Sequence, residues 1–215
     1  MSAEALIVDI DAFFAETKDI RDYYTENIRS VYGPYISDID LSKYDGTVKE
    51  IVTQIFKDHE IHEDVDAKIE TFSDELPYAY YNVAGHDNII VRPGVKDLIS
   101  KSEKGGFIVG VGTNCLSEIA KIKFDRAGIA SDAFKFYEYG SASRRSSDVI
   151  NAALADVDAQ GIERSYAVLA SASQSMINAA ASLGVRTIGI GNKSLSGTTA
   201  AIPDFRNIIG ITLKM

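Results

Sequence analysis

From residue 93 to the end of the chain, short apolar runs alternate with amphipathic stretches, a pattern that predicts β-α units around a parallel sheet. The expected strands are FIVGVGT at 107–113, FKFYEY at 134–139, YAVLAS at 166–171, RTIGIG at 186–191 and NIIGIT at 207–212. Three of the stretches between them have helical spacing. Residues 117–128 carry Ile119, Ile122, Phe124 and Ala127 up to Gly128, 147–157 read SDVINAALADV, and 173–184 place Met176, Ile177, Ala180 and Leu183 on one face ahead of Gly184. Both glycines stand where helix C-caps belong. A further run, ALIV at 5–8, is apolar at every position, as expected of a strand covered on both faces.

Residues 17 to about 90 follow a different rhythm, with helical patterns and no convincing strand. Residues 19–33 align Ile20, Tyr23, Tyr24, Ile28 and Val31, and residues 47–59 align Val48, Ile51, Val52, Ile55 and Phe56. We therefore expect an α/β core formed by 1–16 and 91–215, interrupted after its first strand by a helical insert at 17–90. The tyrosines of DYYTEN and YAYYNV are read as packing within that insert rather than as ligand platforms. The loop GIGNKSLSGTT at 189–199 lacks the phosphate-loop and dinucleotide fingerprints and is expected as a strand followed by a loop.

Bulk properties narrow the function classes. The net charge of -9 disfavours nucleic acid and anionic membrane surfaces as partners, since both require a basic face. A single cysteine, Cys115, excludes an internal disulfide and a cysteine-based zinc cluster. With no apolar run of membrane-spanning length and no leader ahead of the first strand, a cytoplasmic protein is expected.

The chemistry is concentrated where the first run stops, at Asp9-Ile10-Asp11. The carboxyl ends of strands are where open α/β sheets hold ligands. Two carboxylates two positions apart on a strand face the same side and repel each other unless a cation sits between them. Read alone, the pair also fits two solvated acids at a strand end. Thr113 with Asn114 closes the next strand and fits either an anion contact or a helix N-cap. Arg144 and Arg145 stand at a helix start, where cations are unfavourable, and so hint at a nearby anion. His59, His62 and His86 have no ligand spacing and are read as surface residues.

The order of strand with D-x-D, helical insert and β-α repeats resembles the haloacid dehalogenase superfamily, in particular its phosphoglycolate-phosphatase-like members, over nearly the whole chain. The resemblance implies a Rossmann-like parallel sheet flanked by helices, with a small α-helical cap inserted after the first strand. It sets Asp9-Ile10-Asp11-Ala12-Phe13 on the family's first motif, Thr113 on the second, Arg144 to Asp148 on the third, and Ser171 to Asn178 on the fourth. It implies hydrolysis of a small phosphorylated metabolite through an aspartyl-phosphate. Asp9 would be the nucleophile and Asp11 the acid and base. Thr113, Asn114 and Arg144 would hold the phosphate, and Mg²⁺ would sit on Asp9 and Asp11. A response-regulator receiver uses similar groups but does not accommodate the insert.

The departures from the family pattern are chemical. The fourth motif ordinarily supplies one or two acids to the metal, and here Ser171, Ala172, Ser173 and Gln174 supply none, which predicts weak Mg²⁺ binding. Ala12 and Phe13 replace smaller or more permissive residues, and Arg144 replaces a lysine. The insert stretch Gly46-Thr47-Val48-Lys49 lacks the aspartate that the family places there. Asp204 falls at a position read as structural. Impaired turnover, or anion binding without turnover, is the resulting expectation.

Overall fold

A computed structural model describes residues 4–15, 40, 43–62, 64–84, 90–106, 108–130, 132–191 and 194–215. Its centre is a six-stranded parallel sheet. In chain order the strands are β1 (Ala5–Val8), β4 (Ile108–Leu116), β5 (Tyr137–Gly140), β6 (Ala167–Ser171), β7 (Arg186–Ile190) and β8 (Ala200–Ile202). In space they run β5-β4-β1-β6-β7-β8. β1 pairs with β4 on one side and β6 on the other, so the strand order reverses at β1. In open α/β sheets such a reversal is where ligands bind, here at the carboxyl end of β1, directly before Asp9.

Helices cover both faces of the sheet, and the alternation along β1 shows how. Leu6 and Val8 pack into the cluster beneath α3 (Val95–Gly105) and α4 (Ser117–Ala127), while Ala5 and Ile7 pack beneath α5 (Ser146–Ala159) and α6 (Gln174–Ser182). All four residues are fully buried, which is why the run has no polar position. The glycine at 128 adopts a left-handed conformation and ends α4 as its position in the sequence predicts.

The chain leaves the core through β2 (Phe14–Ala15) and returns through β3 (Ile90–Val91), which pair antiparallel as a two-stranded ribbon. Within the insert, α1 (Val48–Asp58) and α2 (Val65–Ala84) pack together. α1 begins with a capping box in which Thr47 and Glu50 satisfy each other's backbone N–H groups. The helix expected at 19–33 and His86 lie outside the described residues. His59 and His62 are exposed. Tyr80 is buried, whereas Tyr78 and Tyr81 of the same helix are exposed. Among the described residues no helix is long and apolar enough to cross a membrane.

Two expectations are corrected. NIIGIT forms a helix, α7 (Ile208–Thr212), and the sixth strand is instead Ala200–Ile202, directly after the stretch read as a loop. A short apolar run does not distinguish strand from buried helix by periodicity. Here Ile208 and Thr212, one turn apart, are both buried, and Thr212 Oγ1 donates to the Ile208 carbonyl at 2.8 Å. The second correction concerns the acids. β1 stops at Val8 and residues Ile10–Phe13 form a 3₁₀ turn, so Asp9 and Asp11 are not alternate residues of one strand. The turn needs no left-handed residue at Ala12, and Phe13 fills an aromatic cluster with Phe134 and Phe205 at centroid distances of 5.9 and 5.2 Å.

Candidate functional site

Asp9 is firmly anchored at the carboxyl end of the sheet. Its backbone N–H donates to the Ala170 carbonyl of β6 at 2.9 Å, which extends the β1–β6 pairing by one residue. Its carboxylate is only 1% exposed and accepts on both oxygens. Oδ1 takes Thr113 Oγ1 at 2.7 Å and the Asp11 N–H at 3.3 Å, and Oδ2 takes Ser171 Oγ at 2.7 Å. Burial, followed by repulsion from Asp11, raises its pKa to about 7, against the opposing effect of these hydrogen bonds. Residues from three adjacent strand ends therefore meet on one carboxylate.

Asp11 faces a different partner. The ammonium of Lys123, on α4, is hydrogen-bonded to Asp11 Oδ1. Lys123 is only 13% exposed and Asp11 is 45% exposed. On its other side the ammonium lies 5.6 Å from the centroid of the Tyr80 ring, carried by α2 of the insert. Sequence reasoning missed Lys123, which sits among the polar positions of an amphipathic helix and carries no motif.

Thr113 lies inside β4, and α4 begins only at Ser117 with Leu116 as its N-cap, so the N-cap alternative for Thr113 falls. Asn114 is buried and turns toward β6 and α6. Its Nδ2 donates to Ser175 Oγ at 2.9 Å, and its Oδ1 has no partner among the described residues. Room for Asn114 depends on Gly140, because a Cβ at 140 would come within 2.0 Å of the Asn114 carbonyl oxygen. Gly140→Ala is therefore expected to push β5 off β4 at the site and to cost about 1–3 kcal/mol by denaturant titration. A loss below a few tenths would mean that the strand ends separate freely.

Arg144 is committed elsewhere. Its guanidinium pairs with Glu138 Oε2 at 2.6 Å and donates to the Tyr139 carbonyl at 2.9 Å, rather than to Asp9. Asp148 accepts the Arg145 N–H at 2.7 Å at the start of α5. Asp204 is held by Arg206. Cys115 is buried, and burial pushes its thiol far up, so it offers no nucleophile.

The fourth-strand end is a hydroxyl network. Ser171 Oγ accepts the Ser173 N–H at 2.9 Å while donating to Asp9, and Ser173 and Ser175 lie 2.9 Å apart. Two carboxylates from the insert close over it. Asp45 accepts Ser173 Oγ and the Ser175 N–H, both at 2.9 Å, at the N-terminus of α6. Glu50 Oε2 accepts the Ser146 N–H at 3.1 Å and Ser146 Oγ at 2.6 Å, at the N-terminus of α5. Lys49 Nζ adds a bond to the Ser143 carbonyl at 3.3 Å. The T-V-K-E pattern signals the capping box of α1 and so the position of Glu50, but nothing in the pattern points to Ser146.

A central strand at the point where the sheet order reverses, an acid directly after it, and an insert leaving through a two-stranded ribbon together define the architecture. The chain has the fold of the haloacid dehalogenase superfamily. CbbY of Rhodobacter sphaeroides, solved in complex with phosphate, superposes with a TM-score of 0.73 at 19% identity over 99% of this chain and 100% of its own. A hydrolase from Pseudomonas syringae gives 0.78 at 13% identity over 98% and 97%. A β-phosphoglucomutase from Clostridium difficile gives 0.70 at 15% over 99% and 97%. No family model matches the sequence, and no curated protein does.

A haloacid dehalogenase fold raises the question of Mg²⁺, and the donor set does not fit it. Mg²⁺ requires near-octahedral hard oxygen ligands. Asp9 has both oxygens engaged by hydroxyls, Asp11 is paired with an ammonium, and the fourth strand ends in Ser171-Ala172-Ser173. Among the described residues no three His, Cys, Asp or Glu side chains are grouped as metal ligands.

Proposed function

We propose that the chain binds a small phosphorylated molecule at the carboxyl end of the sheet and hydrolyses it slowly at most, through Asp9. The observation that carries this reading is the state of Asp9. It follows the first strand, where the resemblance sets the nucleophile, yet it is buried and hydrogen-bonded on both oxygens, and burial pushes its pKa up to about 7, toward the protonated form. A protonated carboxyl is a poor nucleophile.

On this reading an Asp9 oxygen attacks phosphorus, the ester P–O bond breaks, and Asp11 gives a proton to the departing oxygen. Water then attacks phosphorus and passes a proton to Asp11, releasing phosphate and regenerating Asp9. Each step has an obstacle in this chain. Asp9 must first shed the Thr113 and Ser171 hydroxyls, and Asp11 must leave Lys123 to reach a leaving group. Thr113 and Asn114 would contact the phosphoryl group, and Arg144 would join them only by releasing Glu138. That CbbY, which shares the fold, was solved in complex with phosphate supports a phosphate-bearing ligand. A cytoplasmic setting goes with this reading and with the single cysteine.

A second reading, binding without turnover, is favoured by the insert carboxylates. Asp45 and Glu50 occupy the N-termini of α6 and α5, two places where an anion would otherwise be stabilised. The test is a phosphate-release assay over a panel of small phosphate monoesters, run on wild type, Asp9→Asn and Ala172→Asp across a wide Mg²⁺ range, with inorganic phosphate binding measured alongside. We expect phosphate to bind and hydrolysis to be slow, with any turnover lost in Asp9→Asn. Ala172→Asp, which restores a carboxylate, is expected to bind Mg²⁺ more tightly. Rapid wild-type hydrolysis at ordinary Mg²⁺ would overturn the impairment, and absence of phosphate binding would overturn the reading as a whole.

A further inference from the structure

We propose that Lys123 is a resident cation of the site, its ammonium holding the position on Asp11 that a divalent metal would need. The inference rests on the phosphate-site reading and deepens it by naming the charge that makes the acidic pair tenable. Asp9 and Asp11 stand two residues apart, with the Asp11 N–H donating to Asp9 Oδ1 at 3.3 Å, so the two carboxyl groups share one small space and a positive charge there offsets their repulsion. Among the described residues, the ammonium hydrogen-bonded to Asp11 is that of Lys123.

Its placement is built in. The stem rises from α4, whose Ile119, Ala120 and Phe124 are buried in the core, so the helix cannot turn the lysine away without unpacking that face. The ammonium is enclosed between Asp11 and the Tyr80 ring, and a cation so little exposed needs its anionic partner. Asp11, by contrast, is nearly half exposed. A dication brought to Asp11 would meet the ammonium as a like charge in a partly desolvated space.

The loss of acids at the fourth strand and the lysine are two sides of one charge balance. Three carboxylates around a dication and two carboxylates around an ammonium carry the same net charge. In this chain the end of β6 offers Ser171, Ala172 and Ser173, which suits the second arrangement. A lysine also tethers the charge permanently, so the site does not depend on metal supply for binding an anion.

The experiment is calorimetric titration of the full chain with MgCl₂, for wild type, Lys123→Met, Lys123→Arg and Asp11→Asn, with folding checked by circular dichroism and melting. Wild type is expected to show no saturable Mg²⁺ site into the tens of millimolar. Lys123→Met should acquire one at least tenfold tighter, and Lys123→Arg, which keeps the cation, should behave as wild type does. A Lys123→Met protein that binds Mg²⁺ no more tightly than wild type would overturn the inference. So would a saturable wild-type site that disappears in Asp11→Asn, and this arm decides the matter if Lys123→Met does not fold. A parallel titration with inorganic phosphate in chelator separates the two readings. Its failure removes the phosphate site, whereas the lysine inference stands or falls on the Mg²⁺ titrations.

Discussion

Asp9→Asn should make the protein more stable above neutral pH by roughly 4 kcal/mol, with the gain fading as the pH is lowered toward 4. The carboxyl rises from a reference value of 3.8 to about 7 on folding, and each pK unit is worth about 1.4 kcal/mol. Between those two values the folded chain holds a proton that the unfolded chain has released, so stability falls as pH rises through this window. Below the lower value both states are protonated and the penalty is absent; above the upper value it is present in full. Asparagine is neutral throughout and close in shape. Its oxygen can still accept from Thr113, and its amide can donate to Ser171 Oγ. Denaturant titrations of both proteins at several pH values between about 4 and 8 provide the measurement. A wild-type/variant difference that does not change with pH would mean that Asp9 does not titrate in this range, and would remove the reason given for its weakness as a nucleophile.

Glu50→Ala is the second large effect, expected to cost about 2–4 kcal/mol, more than an exposed helix residue would suggest. One oxygen, Oε2, accepts the Thr47 N–H at 2.9 Å as well as the N–H and hydroxyl of Ser146. Thr47 and Ser146 are both buried, so removing the carboxylate strands donors that water cannot reach. The loss has two parts, the cap of α1 and the junction between α1 and α5. Thr47→Ala also breaks the capping box but spares the Glu50 bonds to Ser146, and should cost only about 1 kcal/mol. Equal losses in the two variants, by denaturant or thermal unfolding, would mean that the junction contributes nothing beyond the cap.

These two residues mark the line between what was readable along the chain and what was not. Asp9 was legible because a fully apolar run ending in an acid is a local statement. Such a run reads as a strand buried on both faces, with the next polar residue emerging at its end. The β-α alternation, the C-cap at Gly128 and the helix over 48–58 were legible for the same reason, since periodicity and capping are set by neighbours within a few residues. The run at 207–212 was misread because its length and composition suit strand and helix alike. Only the packing of Ile208 and Thr212 settles it.

The occupancy of the site was decided by the tertiary structure. Lys123 meets Asp11 across 112 positions, Thr113 meets Asp9 across 104, and Glu50 meets Ser146 across 96. A lysine on a helix and a glutamate at its N3 position look the same in sequence whether they face solvent or a buried carboxylate or hydroxyl. The sequence by itself determined that two acids stand at the end of a central strand and that the fourth strand brings none to join them. Which cation faces those acids, and which carboxylates close over the neighbouring helix ends, follows from how the sheet order reverses at β1 and brings distant strand ends together.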